Sequence, residues 1–246
     1  MPAPLSGTPI LGILFDKDGT LIDFDATWGP ATYEVMRALS EGDRGRLEAV
    51  MRASHYLEDE RRFLPTSPLI AGSSASYGPA WAEALGRTPG QAFYQEMDDL
   101  FRYWGLEHLA PIGHPAEIVA RLRERGYRLG IATNDAEASA RAQSTALALD
   151  PFMDFIVGYD SGHGGKPDPG MVLAFADHIG APPGAVAMIG DSLHDLHAAR
   201  AAGAVAVAVL TGPLRAAARP EVEPHADHVV ESIADLPGLF AGLAAG

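Results

Sequence analysis

The strongest constraint on the fold is a regular alternation of apolar segments and helical patterns from about residue 112 onward. Strands are predicted at YRLGIAT, FMDFIVGY, AVAMIG and AVAVAVL. Helices are predicted between them, at HPAEIVARLRERG, DAEASARAQSTALAL, DPGMVLAFADHIG and LHDLHAARAAG, and the tail adds a short strand and a last helix. Strands that recur about every 25 to 30 residues, with helices between them, are typical of βαβ units and a parallel sheet.

An earlier strand is predicted from Leu11 to Phe15, where an unbroken apolar run suits a central strand covered on both faces. Residues 25–110 break the rhythm, because they show helical patterns such as RGRLEAVMRASHYLEDERRF, a Pro-, Gly- and Ser-rich loop at LPTSPLIAGSSASYGP, and no clear strand. The sequence therefore predicts an α/β fold with a doubly wound, Rossmann-like parallel sheet core of residues 1–24 and 111–246. An α-helical cap domain of residues 25–110 is inserted after its first strand.

Polar residues follow the predicted strands at their carboxyl ends, where ligands bind in open parallel sheets. In chain order, the strands lead to Asp16 and Asp18, to Thr133 and Asn134, to Lys166, and to Asp191, Ser192 and Asp195. Carboxylates, a lysine and small polar side chains at one edge of a sheet indicate a metal-assisted phosphoryl site.

The segments that carry these residues resemble the four motifs of the haloacid dehalogenase superfamily of phosphohydrolases, in order and spacing. They read DKDGT, ATN, GGKPDP and GDSLHD. The resemblance extends over the strand–helix core, and the helical insertion lies where family members carry an α-helical cap. Within the superfamily, the sequence is most similar to phosphoglycolate-phosphatase-like enzymes. A single short motif is weak evidence, whereas four motifs at successive strand ends support one another.

The resemblance implies a Mg²⁺-dependent enzyme that works through an aspartyl-phosphate. Asp16 would be the nucleophile, and Asp18 would protonate the leaving alkoxide and then activate water. Thr133 would hydrogen-bond the phosphate, and Lys166 would neutralise charge on the nucleophile and the phosphate. Mg²⁺ would bind Asp16, the backbone carbonyl of Asp18, and Asp191, because it prefers hard oxygen ligands.

Other residues are assigned supporting roles. Gly19 would let the chain turn sharply beside the phosphate. Asn134 would join Thr133 in donating hydrogen bonds to phosphate oxygens, although both residues also suit a helix cap. Ser192 and Asp195 would support the site from behind, and Asp195 is equally typical of a first-turn acid favoured by the helix dipole.

The cap is expected to set the choice of substrate, because it closes over the core. Arg61 or Arg62 would clamp a substrate carboxylate through two hydrogen bonds, or both would balance the acidic LEDE segment at the surface. Phe24 stands where family members often carry a small hydroxyl residue. This departure at the hinge leaves the core motifs unaffected and weakens the match to phosphoglycolate.

Composition narrows the partners and the location. The chain has 246 residues, a formal net charge of −14 and no cysteine. The acidic balance argues against nucleic acid and anionic membranes, and no segment has the roughly 18 apolar residues that a membrane helix needs. We therefore predict a cytoplasmic monomer or homodimer that acts on a small phosphorylated metabolite.

The predicted function is a phosphatase of a small phosphomonoester, with 2-phosphoglycolate as the candidate substrate. A pyrophosphatase or a phosphomutase of the same superfamily is the alternative enzyme. A non-catalytic phosphate-binding protein on the same fold is the alternative of another class. Turnover of a chromogenic aryl phosphate with and without Mg²⁺ distinguishes an enzyme from a binding protein.

Overall fold

The computed structural model describes residues 9–70 and 72–244, and the side chains of residues 9–70 and 72–241. The strands are β1 (Gly12–Phe15), β2 (Tyr56–Leu57), β3 (Arg62–Phe63), β4 (Arg128–Ala132), β5 (Phe155–Val157), β6 (Val186–Gly190), β7 (Val205–Val209) and β8 (His228–Val230). Six of them form one parallel sheet in the order β5-β4-β1-β6-β7-β8. The predicted fold class, a doubly wound parallel sheet with an inserted helical cap, is confirmed.

Helices cover the sheet and build the insertion. They are α1 (Phe24–Leu39), α2 (Arg44–Ala53), α3 (Ser74–Leu85), α4 (Gln91–Glu107), α5 (Pro115–Glu124), α6 (Glu137–Ala146), α7 (Gly170–His178), α8 (Leu193–Ala202), α9 (Arg219–Val222) and α10 (Leu236–Ala244). Short 3₁₀ turns lie at Asp150–Phe152, Pro183–Ala185, Arg215–Ala218, Glu223–His225 and Ile233–Asp235. Across the described ranges, no helix is long and apolar enough to cross a membrane.

Strand β1 is the centre of the sheet, and its side chains are buried on both faces. Ile13 and Phe15 pack into one hydrophobic cluster, and Leu14 packs into another on the opposite face, as the two-residue period of a strand requires. Phe15 is in register with Ile131 of β4 and Ile189 of β6. The segments that follow these three strands therefore begin at the same edge of the sheet.

Residues 25–110, called the cap below, are largely helical, and the remaining residues are called the core. The domain boundaries themselves stay a prediction. A separate hydrophobic cluster fills the cap and includes Val35, Trp81 and Met97, all fully buried.

Two expectations for the cap are wrong. The helix predicted through RGRLEAVMRASHYLEDERRF ends at Ala53, and strands β2 and β3 follow as a short antiparallel hairpin. Tyr56 and Phe63 hold this hairpin against the helices, because both rings are buried and pack edge to face at 5.3 Å. Helix α3 begins at Ser74, inside the predicted loop, where Ser73 and Ser76 form a capping box.

Candidate active site

Asp16 and Lys166 are brought together at the end of β1. The backbone N–H of Asp16 donates to the Ile189 carbonyl at 2.7 Å, so the residue emerges directly from the sheet. Its side chain is buried, and Lys166 Nζ lies 2.5 Å from its Oδ1 atom. Burial raises the pKa of Asp16 to about 7, with Lys166 opposing the rise and Asp195 adding to it. The arrangement joins a carboxylate that faces the pocket to a buried cation.

Asn134 fixes the backbone of the loop that carries Lys166. Its Oδ1 accepts from the Lys166 N–H at 2.8 Å, and its Nδ2 donates to the Lys166 carbonyl at 2.9 Å. Burial opposes the charged form of Lys166, but Asp16 and Asp195 outweigh it and raise the pKa of the lysine. The structure thus gives Asn134 a positioning role, and its predicted contact with phosphate stays a prediction.

Asp18 is held by donors from both the core and the cap. Lys17 Nζ lies 2.8 Å from Asp18 Oδ1, and Trp28 Nε1 of α1 donates to the same oxygen at 2.5 Å. The Thr133 hydroxyl lies 3.3 Å from Asp18 Oδ2 and also accepts the backbone N–H of Asp135 at 3.0 Å. A carboxylate with three donors has a fixed orientation, and one of these donors belongs to the cap.

Asp195 is a second carboxylate that accepts a hydrogen bond from Lys166. Its Oδ1 accepts from Lys166 Nζ at 2.7 Å, and its Oδ2 accepts from the backbone N–H and the hydroxyl of Ser192 at 3.1 and 2.7 Å. The side chain is fully buried. Ser192 and Asp195 also form the capping box of α8, so the helix cap and the support of Lys166 are the same set of contacts.

Asp191 follows β6 and completes a group of carboxylates. Oxygen atoms of Asp16, Asp191 and Asp195 all lie within 4.8 Å of one another. Burial raises the pKa of Asp191, and the nearby charges of Asp16 and Asp195 add to the rise. Since Lys166 balances part of this negative charge, the oxygen donors that remain fit a hard divalent cation.

Gly19 makes the close approach of the first and fourth motifs possible. Its φ of +78° lies in the left-handed region that favours glycine, and a Cβ atom there would lie 2.6 Å from the carboxyl group of Asp191. Thr211 donates to the Gly19 carbonyl at 2.6 Å. A residue with a side chain at position 19 would therefore displace Asp191.

A pocket of about 720 Å³, part of it open to solvent, lies over these residues and between the core and the cap. The core contributes the motif residues Asp16, Asp18, Thr133, Asn134, Lys166, Asp191 and Ser192. The cap contributes mostly apolar and aromatic side chains, namely Trp28, Phe63, Leu69, Ile70, Tyr77 and Phe101, and Phe24 lines the pocket at the hinge. The sequence-predicted core residues thus share one pocket with an aromatic wall opposite them.

Arg61 and Arg62 are not brought to this pocket. The Arg61 guanidinium stacks over the Tyr33 ring at 3.2 Å, and the half-exposed Arg62 pairs with Glu60 at 2.6 Å. Neither arginine is among the residues that line the pocket. The surface alternative therefore describes both of them better than the predicted carboxylate clamp.

Asp98 was missed by the sequence reasoning. This residue of α4 lines the pocket, and its carboxylate accepts the Ser74 hydroxyl at 2.5 Å and the Tyr159 hydroxyl at 2.7 Å. Burial raises the pKa of Asp98, while these two hydrogen bonds oppose the rise. The bond to Tyr159 joins cap to core, and one Asp among many in a helical pattern carries no signal of it.

Residues 10–203 match the family model of the haloacid dehalogenase-like hydrolases. The chain belongs to this family. The phosphoglycolate phosphatase of Rhodospirillum rubrum is 32% identical over 204 residues, which cover 81% of this chain and 79% of that protein. The probable phosphatase IndB of Dickeya dadantii is 30% identical over 207 residues, 81% of each chain.

Solved structures of the haloacid dehalogenase-like family share the fold. The crystal structure of a predicted phosphoglycolate phosphatase from Haemophilus somnus covers 95% of this chain and 99% of its own, with a TM-score of 0.69 at 17% identity. The family match confirms the predicted family. Together with the phosphatase relatives, it also confirms the predicted enzyme class, a hydrolase of phosphoric monoesters.

Proposed function

We propose that the chain is a Mg²⁺-dependent phosphatase that hydrolyses small phosphomonoesters through an aspartyl-phosphate on Asp16. The observation that carries the proposal is the Asp16 carboxylate at the edge of the pocket. It has Lys166 2.5 Å away and the Asp191 oxygens close by. Relatives named phosphoglycolate phosphatase support the reaction class.

The chemistry uses two carboxyl groups in turn, with Asp16 entering the cycle ionised and Asp18 entering it protonated. An Asp16 oxygen attacks phosphorus, the bond to the leaving oxygen breaks, and that oxygen takes a proton from Asp18. A water molecule then attacks the phosphorus of the aspartyl-phosphate, gives its proton to Asp18, and breaks the phosphorus–oxygen bond to Asp16. The products are the free alcohol and inorganic phosphate, and both aspartates return to their starting states.

The remaining residues orient and neutralise. Lys166 offsets the charge that builds up on the nucleophile and the transferred phosphoryl group. Asp16 and Asp191, with the backbone carbonyl of Asp18, would hold Mg²⁺, which would supply positive charge to offset that of the carboxylates and the phosphate. The Trp28 indole fixes Asp18 from the cap side.

The test replaces the nucleophile. Asp16→Asn is expected to lower kcat for p-nitrophenyl phosphate by about 10³-fold or more, because an amide does not form the phosphoenzyme. Asp177→Asn on α7 is the matched control, since this exposed aspartate lies outside the pocket lining. Near-normal turnover in folded Asp16→Asn would contradict the proposal.

A further inference from the structure

The part of the pocket under the cap has no basic side chain in the described lining. The cap residues that line it are aromatic, aliphatic, small or hydroxylic, with Asp98 as the charged exception. The core contributes Lys166, which is already bonded to Asp16 and Asp195, and His194 on α8. A substrate carboxylate under the cap would therefore meet Asp98 and aromatic rings.

Helix α3 begins at this pocket, and a helix N-terminus attracts anions. Here part of that end is satisfied within the chain. Ser73 and Ser76 form its capping box, and Ser74 in its first turn donates to Asp98. The carboxylate of Asp98 thus places a negative charge beside the first turn of α3, where it disfavours a substrate anion.

The aromatic wall consists of two groups of packed rings, one at the hinge and one in the cap. The ring centroids of Phe24 and Phe63 lie 5.5 Å apart. Phe101 packs edge to face with Trp28 at 5.9 Å and with Tyr77 at 6.3 Å. All five rings line the pocket. Such a wall favours apolar groups, because burying apolar surface contributes about 25 cal/mol per Å².

One polar group in this wall lacks a partner. The Thr32 hydroxyl is buried, lines the pocket, and makes no hydrogen bond in the part of the chain that the structure describes. It lies one turn after Trp28 on α1. A hydrogen-bonding group on a ligand, whether a donor or an acceptor, would satisfy it.

We infer that the substrate of this site is a phosphomonoester whose alcohol part is predominantly apolar and carries no carboxylate. The inference rests on the proposed phosphatase function and replaces phosphoglycolate as the preferred substrate. Asp98 repels acidic leaving groups, and the aromatic wall binds apolar ones.

The experiment compares kcat/KM for three alkyl phosphates in Mg²⁺ at about pH 8, where carboxyl groups are ordinarily ionised. Ethyl phosphate is the reference, 2-phenylethyl phosphate adds an apolar ring, and phosphoglycolate adds a carboxylate. We expect kcat/KM for 2-phenylethyl phosphate to exceed that for ethyl phosphate by about tenfold or more. We expect kcat/KM for phosphoglycolate to lie below that for ethyl phosphate. A preference for phosphoglycolate over 2-phenylethyl phosphate overturns the inference.

A pair of variants isolates the charge of Asp98. Asp98→Asn removes the charge, and Tyr159→Phe removes the same cap–core hydrogen bond while keeping the charge. We expect Asp98→Asn to raise the ratio of phosphoglycolate to ethyl phosphate by about fivefold or more, and Tyr159→Phe to leave this ratio unchanged. Equal ratios in both variants would overturn the role of Asp98.

The turnover of p-nitrophenyl phosphate distinguishes a failure of the substrate inference from a failure of the proposed phosphatase function. If the enzyme hydrolyses this ester and still prefers phosphoglycolate, the inference on the substrate fails while the phosphatase function stands. If it hydrolyses none of the four esters in Mg²⁺, the proposed function fails, and the inference fails with it.

Discussion

Lys17 is buried between two carboxylates at the end of β1. Its ammonium group lies 2.8 Å from Asp18 and 3.1 Å from Asp135, and it stacks over the Trp28 ring at 4.9 Å. Burial opposes the charge, but the two aspartates outweigh it and raise the pKa of Lys17. Lys17 therefore ties the first and second motifs to the cap.

Replacing Lys17 with methionine tests this tie. Lys17→Met is expected to lower the free energy of unfolding by about 2 to 4 kcal/mol, because removing one partner leaves buried carboxylates unpaired. Urea denaturation followed by circular dichroism measures the change. In the Asp135→Asn background the same substitution should cost at least about 1 kcal/mol less, since the two residues interact directly. Additive losses would show that the ion pair contributes no coupling.

The sequence predicted the residues of the core motifs and not the contacts that orient them. The Asp16 to Lys166 contact follows from two strand ends at one edge of a parallel sheet. Lys17 was missed because strand alternation directs it away from Asp16 and Asp18, and the chain leaves regular strand geometry at that point. Arg61 and Arg62 were linked to the substrate by residue type alone, which does not determine where a loop points.

Among the elements, the junction of α5, β4 and β5 depends on one carboxylate. Asp154 accepts from Arg123 at 2.6 Å and from the backbone N–H of Leu129 at 3.1 Å, and it forms an ion pair with Arg128 at 2.8 Å. Burial alone would raise its pKa, but hydrogen bonds from Arg128 and Arg123 lower the pKa of Asp154 to about 2. Three neighbouring elements are thereby joined at the amino end of β5.

The lowered pKa of Asp154 gives a pH-dependent stability. Its folded pKa of about 2 lies below the ordinary 3.8, so its contribution is present above about pH 4 and is lost as the pH falls toward 2. Asp154→Asn is expected to lower the free energy of unfolding by about 1 to 2 kcal/mol at pH 7, allowing for the partial exposure of both arginines. Denaturant melts from about pH 7 to pH 3 should show this difference shrinking, with Asp177→Asn as the control. A gap that stays constant with pH would contradict the ionic origin.

The elements of the core were easier to predict than those of the cap. Continuous apolar runs such as the one in β6 are typical of a buried strand, because a sheet covered on both faces requires them. The β2–β3 hairpin has two residues in each strand and carries no such pattern. It is formed by tertiary packing of Tyr56, whose hydroxyl donates to the Gly29 carbonyl at 2.6 Å, and that contact is not visible in a local pattern.

For the whole molecule, the alternation of strands and helices predicted the fold and the four motifs predicted the family, while the contacts between cap and core required the structure. Trp28 and Asp98 reach the core through Asp18 and Tyr159. Both contacts join a cap residue to a core residue, and no hydrophobic periodicity in either segment encodes them. The substrate preference that we infer depends on this junction, whose contacts no local pattern in the sequence encodes.

The proposed Mg²⁺ site at the clustered carboxylates predicts that the stability of the whole molecule responds to Mg²⁺. An ion that binds the native state alone stabilises it by about 2.7 kcal/mol at a hundredfold excess over its Kd. Mg²⁺ is therefore expected to raise the midpoint of thermal unfolding of the wild type, and this rise should be lost in Asp191→Asn and kept in Asp177→Asn. Differential scanning calorimetry without substrate is the measurement. An equal rise in all three proteins would place the ion elsewhere.

In the proposed mechanism, Asp16 carries the phosphoryl group and Asp18 moves the protons. Asp18→Asn keeps the attacking carboxylate and removes the group that activates water. The variant should therefore accumulate phosphoenzyme when it reacts with p-nitrophenyl phosphate, whose leaving group needs little protonation. Rapid acid quench followed by peptide mass spectrometry is expected to show one phosphoryl group on Asp16. Release of nitrophenol with no phosphorylated Asp16 at any quench time would contradict this mechanism.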